Sequence, residues 1–138
     1  MKAITVWQPW ASLLMMGIKA DETRSWPTYY RGHVVIHAAK KPVADVLSSL
    51  PEETVAEIRR HIPHPEALPV GAALGICELT ACRQIDDSFR DLRAPEQLLL
   101  GNYVDGNYAW EMVPLLELTE PAPCRGAQGL WEWRGPRE

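Results

Sequence analysis

The sequence has no long hydrophobic run, few cysteines and no recognisable leader. No stretch approaches the roughly 20 consecutive apolar residues that a membrane-spanning helix needs. The first residues, MKAITVW, lack the apolar core and cleavage site of a signal peptide. Three cysteines (Cys77, Cys82 and Cys124) form an odd set without the spacing of a disulfide framework. We therefore expect a cytoplasmic protein with reduced thiols and no membrane partner.

Several patterns that mark catalytic or metal-binding sites are also absent. The chain has no glycine-rich phosphate loop, no Gly-x-Ser-x-Gly turn and no Ser/His/Asp order. His61 and His64 lie among prolines, and no further ligand is spaced to complete a zinc site. The sequence therefore predicts neither a metal nor another cofactor, and it does not indicate an oligomeric state.

Positive charge is scarce, and it is unevenly distributed. The formal net charge of −4 argues against a protein that holds a long nucleic-acid duplex. Residues 19–41 nevertheless contain five basic and two acidic side chains, a local charge of +3, whereas the remainder sums to −7. One modestly positive region on an acidic body suits a small anionic ligand or a short single strand.

The pattern of apolar residues predicts short strands with helices in the connections. A length of 138 residues fits one domain, residues 1–138, and we find no repeat or linker. The predicted strands are 3–7, 22–26, 32–39, 72–85, 107–118 with an interruption at Pro114, and 126–135. The first predicted helix runs from Pro9 to a stop at Gly17, and the second covers 41–50. A third, opened by a Ser49–Glu52 capping box, extends to about residue 62. Helical turns are predicted over 86–103, with Pro95 opening the second of these turns. These elements predict an α+β fold: a small β-barrel of about six strands with peripheral helices.

A charged cluster follows directly on the first predicted helix, in the stretch GIKADETRSW (17–26). Lys19 lies in the turn, and Glu22 and Arg24 share one face of the next strand because side chains alternate along a strand. A buried lysine can act as nucleophile or base, a glutamate can transfer protons, and an arginine can bind phosphate. The alternative is a solvated turn with an exposed Glu–Arg pair that contributes little.

Tryptophans bracket this cluster. The chain has six of them, and Trp7, Trp10 and Trp26 lie on either side of the charged residues. A tryptophan face can stack on a nucleobase, which contributes about 1–3 kcal/mol per base. Most tryptophans of a small barrel are core residues, so we expect one or two of the six to face a cleft.

The spacing Gly17-x-Lys19-x-x-Glu22-x-Arg24 resembles the GxKxxExR signature of ASCH domains, which are relatives of the PUA-like barrels. The resemblance is to the single-domain bacterial or phage type. It extends over nearly the whole chain: WQPWA (7–11), which includes Gln8, resembles the segment before the signature, and RGHVVIHAAK (31–40) resembles the strand after it. The stretches LGICEL, YAWEM and RGAQGLWEW resemble later strands of the family.

This resemblance implies a PUA-like barrel whose cleft is walled by the signature residues, and a link to RNA. Members include RNA-binding proteins, ribonuclease-like enzymes and amidohydrolases that deacetylate N4-acetylcytidine. In those amidohydrolases, a lysine and a threonine of the signature act with a glutamate from a later helical segment. Lys19 matches the lysine, whereas Glu22 stands where the threonine would be. Glu96 is our candidate for the later glutamate.

Two histidines share a face of the third predicted strand. His33 and His37 lie four residues apart, and a half-buried strand often carries a histidine with a purely structural role. His37 precedes Ala-Ala-Lys40, which we expect near the edge of the cleft. A histidine ordinarily titrates near neutral pH, which suits acid–base chemistry.

The sequence thus predicts a site that contacts a nucleoside or single-stranded RNA. Its expected catalytic residues are Lys19 and Glu22, with Glu96 as an additional acid, and its expected ligand-binding residues are Arg24, Trp7, Gln8, Trp10, Trp26, His37 and Lys40. Two function classes stay open. One is a hydrolase, either an amidohydrolase on acylated nucleosides or a ribonuclease; the other is a reader that binds without turnover.

Overall fold

The structure, a computed structural model, describes residues 1–135. Six strands form one sheet with the order β2-β5-β4-β3-β1-β6, and the sheet curls into a half-barrel. The strands are β1 (Lys2–Val6), β2 (Asp21–Arg24), β3 (Gly32–Ala38), β4 (Ala72–Gln84), β5 (Tyr108–Pro123) and β6 (Leu130–Glu132). The pair β1/β3 is parallel and all the others are antiparallel.

Short helices occupy the connections, as the sequence predicted. They are α1 (Trp10–Met15), α2 (Val43–Ser48), α3 (Glu52–His61), α4 (Asp87–Asp91) and α5 (Pro95–Leu98), and one 3-10 turn spans Pro65–Ala67. Together with the sheet they confirm the α+β fold class. Within residues 1–135, no helix is long and apolar enough to cross a membrane.

Helix α1 lies between two hydrophobic cores. Leu14 packs against the inner face of the sheet with Ile36 and Trp110, all of them fully buried. Its neighbour Leu13 points the other way and packs with Ile58 of α3. Two consecutive apolar residues on a helix point in different directions, so α1 joins the sheet to the outer helices. This arrangement fixes the end of α1, where the charged cluster begins.

The predicted interruption of the fifth strand at Pro114 is wrong, because β5 continues to Pro123. Pro114 lies opposite Cys77 of β4, where the pairing register shifts between Ile76 and Cys77. A proline cannot donate a hydrogen bond to a neighbouring strand, but a bulge leaves one residue without a ladder partner. The residue that this bulge leaves without a partner is Leu115, directly after Pro114. On its other side, β5 pairs with β2 only as far as Glu111, so the missing N–H of Pro114 is tolerated there and the strand continues.

Other boundaries also differ from the predictions. Pro9 is the N-cap of α1 instead of its first residue, and the Ser49 hydroxyl donates to the Val46 carbonyl instead of capping α3. The segment 86–103 contains two short helices, and Pro95 opens the second as expected. The closing strand is only Leu130–Glu132, because β6 pairs with three residues of β1. The three cysteines are unpaired, and the cytoplasmic location stays a prediction.

Candidate functional site

The end of α1 directs Lys19 into the protein. Gly17 has a φ of +74°, a left-handed conformation that glycine adopts without steric cost, and its N–H donates to the Leu14 carbonyl at 3.1 Å. The N–H groups of Ile18 and Lys19 both donate to the Leu13 carbonyl, at 3.1 and 3.0 Å. The predicted stop at Gly17 is therefore correct, and this tight turn reverses the chain toward β2.

A cavity of about 810 Å³, which we call the main cavity, lies beside this turn. Such a volume is typical of small-molecule sites. Five of the residues that the sequence singled out line it: Trp7, Trp10, Lys19, Glu22 and Arg24. The remaining walls come from β1, the start of α3 and residues 98–102 after α5. The main cavity thus brings together residues from four separated parts of the chain.

Lys19 is the most unusual side chain of the main cavity. It is only 2% exposed, and its Nζ has no hydrogen-bond partner within residues 1–135. The Nζ atom lies 5.7 Å from the ring centre of Trp10 and 5.8 Å from that of Tyr103. Burial lowers the pKa of Lys19 below its ordinary value, although the charges of Glu22 and Asp21 act in the opposite direction. The amine is therefore easier to deprotonate than that of a surface lysine.

Glu22 and Arg24 form a fixed pair on the wall of the main cavity. Arg24 Nε donates to Glu22 Oε2 at 2.8 Å, and a second guanidinium nitrogen donates to the Thr5 carbonyl at 2.8 Å. Arg24 thereby links β2 to β1 across the opening of the curled sheet. The pair is mostly buried, which is unlike the solvated turn that we considered as the alternative.

An anchor beneath Lys19 was not predicted from the sequence. Asp21, fully buried, accepts hydrogen bonds from the Tyr103 hydroxyl at 2.9 Å and from Arg93 at 3.2 Å. Burial, followed by the Asp21 charge, raises the pKa of Tyr103. Asp21 thus holds the ends of the segment 93–103 against β2. Nothing local in the sequence indicates this anchor, because Asp21 and Tyr103 lie 82 residues apart.

The same segment closes tightly over Lys19. The Gln97 side chain donates to the Ile18 carbonyl and accepts from the Ala20 N–H at 3.1 Å, so it spans both sides of Lys19. Gly101 lies against the lysine: an added Cβ would stand 3.0 Å from Lys19 Nζ and 2.7 Å from the Tyr103 ring. A side chain at position 101 would therefore displace these groups. The sequence offers only the glycine itself as a signal for this close approach.

Five of the predicted site residues lie outside the main cavity, and three of them line neither of the cavities described in this section. Gln8 is buried, and its amide bonds Ser12 and the Pro69 carbonyl. Trp26 packs edge-on against Trp110 at 4.7 Å between ring centres. Glu96 is exposed on α5 and points to solvent, whereas the adjacent Gln97 reaches the turn at Lys19.

His37 and Lys40 line a second cavity of about 370 Å³. His33, by contrast, is exposed. His61 contacts Glu57 through Nε2 at 2.9 Å. In the part of the chain that the structure describes, no three His, Cys, Asp or Glu side chains are grouped to hold a metal ion.

We expect Arg24→Ala to lower both thermal stability and ligand affinity. The change removes two hydrogen bonds and leaves the Glu22 carboxylate without its partner, which costs about 1–3 kcal/mol. Thermal unfolding and calorimetric titration of the same samples measure the two effects. Arg83→Ala is the control, because the Arg83 side chain is 59% exposed and its carboxylate partner is 3.8 Å away. Such an exposed and distant pair contributes little to stability. A loss of affinity with an unchanged melting temperature would contradict this dual role.

Comparison with known proteins shows the family of the chain. The ASCH domain family matches the chain over residues 4–122. Human activating signal cointegrator 1 is 40% identical over 94 residues, which cover 64% of this chain and 16% of that protein. The mouse protein of the same name is 30% identical over 134 residues, covering 94% of this chain and 22% of the relative. The chain thus spans less than a quarter of the length of these relatives.

A solved structure shows the same fold. The crystal structure of a mutant ASCH protein from Zymomonas mobilis superposes with a TM-score of 0.51 at 15% identity, over 88% of this chain and 74% of that one. This likeness confirms the predicted PUA-like architecture. From the match over residues 4–122 and the shared fold, we conclude that the chain belongs to the ASCH domain family.

Proposed function

We propose that the protein binds a nucleoside, or one nucleotide of a short single-stranded RNA, in the main cavity. The observation that carries this proposal is the buried Nζ of Lys19, which has no hydrogen-bond partner within residues 1–135. Buried polar groups almost always have partners, so a ligand with a carbonyl or other acceptor oxygen would complete the site. Trp7, which is 49% exposed at the cavity, offers a face for stacking a base.

Charge and family membership support the same ligand class. Lys19 and Arg24 bring two basic groups to the main cavity, and Glu22 and Glu53 bring two acidic ones. This balance favours a mainly uncharged heterocycle over a polyanion, so a long duplex is not the proposed ligand. Membership in the ASCH family supports an RNA-related ligand.

Hydrolysis of an acylated nucleoside is the second candidate function. Only a neutral amine can attack a carbonyl carbon or accept a proton from water, and burial lowers the pKa of Lys19 toward that state. Glu22 lies on the same wall and is oriented by Arg24. The ion pair also favours the alternative, a reader without turnover, because Arg24 already occupies Oε2 of the Glu22 carboxylate.

We expect Lys19→Arg to separate these possibilities. Arginine keeps a positive charge but cannot supply a neutral amine. If the protein is an amidohydrolase, the variant should lose turnover of N4-acetylcytidine, by about 100-fold or more, and retain measurable nucleoside binding. Chromatography of the released cytidine measures turnover, and a thermal-shift panel of nucleosides and short RNAs measures binding.

Two results would decide against parts of this proposal. Saturable nucleoside binding by the wild type without any product would exclude the hydrolase and favour the reader. Absence of binding to every nucleoside and short RNA in the panel would remove the proposed function itself.

A further inference from the structure

The second cavity is basic and is not used by the function proposed above. Among its lining residues, Lys40 and Arg125 are charged, and none is acidic. Neither of these two side chains makes an ion pair or a side-chain hydrogen bond with another residue of the range 1–135. Two free cationic groups on one small concave surface are a suitable arrangement for an anion.

The floor of the second cavity is a connected set of hydrogen bonds. Trp131 Nε1 donates to Thr5 Oγ1 at 3.1 Å, Thr5 Oγ1 contacts His37 Nδ1 at 3.2 Å, and His37 Nε2 contacts the Cys124 carbonyl at 2.9 Å. Because a carbonyl oxygen only accepts, Nε2 carries a hydrogen, and the Thr5 hydroxyl is free to donate to an unprotonated Nδ1. Both ring nitrogens of His37 are thus used within the protein. The charged contacts to a ligand are left to Lys40 and Arg125.

The backbone of the loop that carries Arg125 packs directly on this floor. A Cβ added at Gly126 would stand 2.5 Å from Thr5 Oγ1 and 2.6 Å from His37 Nδ1. No side chain fits at that position without displacing the hydrogen-bonded groups. The close contact holds the residue before it, Arg125, at the rim of the second cavity.

The second cavity and the main cavity share a wall. Thr5 lines both: its side chain belongs to the floor just described, and its carbonyl accepts from Arg24 of the main cavity. The pairing of β6 with β1 ends at Ile4, so Thr5 lies just beyond the end of β6. On the other side, Lys40 lines the second cavity while Lys41 lies over the Trp7 ring at 4.7 Å.

We propose that the second cavity binds a phosphate attached to the nucleoside that occupies the main cavity. This inference rests on the proposed function, and it adds that the preferred ligand is a nucleotide or the end of a single strand. Lys40 and Arg125 would contact the phosphate oxygens, for which lysine and arginine are the usual partners in proteins. The ligand would pass from one cavity to the other over Thr5 and Trp7.

The test is a comparison of affinities for ligands that differ only in phosphate. Calorimetric titrations would use a nucleoside, its 5′-monophosphate, its 3′-monophosphate and a dinucleotide, with inorganic phosphate as a further probe. The proteins would be the wild type, the double variant Lys40→Gln/Arg125→Gln and the control Arg83→Gln, which removes an exposed arginine elsewhere. The two monophosphates distinguish which side of the nucleoside carries the bound phosphate.

We expect at least one phosphate-bearing ligand to bind the wild type about tenfold or more tightly than the nucleoside. The double variant should lose this gain and keep its nucleoside affinity, and the control should behave like the wild type. For the dinucleotide, the slope of log affinity against log salt concentration should also be shallower in the double variant. The expected difference in slope is about 0.7, because one phosphate contact is lost.

Each other result has a defined meaning. Equal wild-type affinities for nucleoside, monophosphates and dinucleotide would overturn the phosphate site and leave the proposed function intact. A phosphate gain that survives in the double variant would also overturn it. Binding of inorganic phosphate that depends on Lys40 and Arg125, with nucleotides bound no more tightly than inorganic phosphate and no nucleoside binding, would leave an anion site alone. That result would remove the proposed function and overturn the inference that the phosphate belongs to a nucleoside in the main cavity. Absence of all binding would remove both.

Discussion

Replacing Lys19 with methionine should stabilise the fold and strongly weaken ligand binding. The lysine amine is buried without a hydrogen-bond partner within residues 1–135, and methionine has a similar unbranched shape without the polar group. We expect the free energy of unfolding at neutral pH to rise by about 1–3 kcal/mol, because the cost of desolvating the amine disappears. The lost attraction to Glu22 and Asp21 offsets part of this gain. Urea unfolding measures the change.

The ligand affinity of the same variant should fall by at least about 30-fold, since the ligand would lose a buried, charge-assisted hydrogen bond. Leu13→Met, a change in the neighbouring apolar core, is the control for a nonspecific packing effect. A stabilised variant that binds this much more weakly identifies Lys19 as a residue kept for function at the expense of stability. A clear loss of stability in Lys19→Met would contradict this conclusion.

The stability difference should depend on pH in one direction. The folded-state pKa of Lys19 is lowered from 10.5. At a pH between that folded-state pKa and 10.5, the unfolded chain therefore binds more protons at this side chain than the folded protein does. Stability of the wild type therefore gains from Lys19 as the pH rises through that window. The advantage of Lys19→Met should accordingly shrink from neutral pH upward. Tyr103 is present in both proteins, so its own titration largely cancels in the comparison.

The second large effect is expected for Asp21→Ala. This change leaves Arg93 and the Tyr103 hydroxyl without their acceptor in a buried environment. Breaking such a buried pair typically destabilises a protein by about 3–5 kcal/mol. Because Asp21 anchors the segment that carries the wall residues 98–102, the affinity for nucleosides should fall as well. Urea unfolding and calorimetric titration measure the two quantities.

Two further variants make this prediction specific. Asp105→Ala removes the exposed carboxylate that pairs with Arg90, and it should change stability by no more than about 1 kcal/mol. A double-mutant cycle of Asp21→Ala with Tyr103→Phe should show a coupling energy of about 0.5–3 kcal/mol, since the two side chains share a hydrogen bond. Additive effects in this cycle, or a loss for Asp21→Ala no larger than for the control, would show that Asp21 is not an anchor.

The strands and helix ends were predictable where the signal was local. The β-branched run in GHVVIHAA predicted β3, and the glycine at position 17 predicted the end of α1. The errors occurred where a distant segment decides the outcome. Pro114 interrupts a strand only where its missing N–H would have to donate to a partner strand, and that depends on the registers of β5 with β4 and β2. The short β6 likewise depends on how much of β1 is available for pairing.

The candidate site was predictable to a similar extent. Lys19, Glu22 and Arg24 are neighbours in sequence, so a turn and a strand face suffice to bring them together. Trp26 directly follows the cluster and Gln8 precedes it by one helix, but each is engaged by a distant partner, the Trp110 ring and the Pro69 carbonyl respectively. Whether an amphipathic side chain faces a cleft or the core depends on such partners, and a single sequence does not show them.

The sequence by itself determined the family, the α+β class and the charged cluster after α1, because these depend on residue order and on contacts within a few positions. Only the tertiary structure decided the chemical state of that cluster. Lys19 becomes a buried amine without a partner because the segment 97–101 closes over it, held by Gln97 and by the Asp21–Tyr103 hydrogen bond. Desolvation depends on every group packed around a charge, whatever its position along the chain. The lowered pKa of Lys19 is therefore a property of the fold and cannot be read from the signature alone.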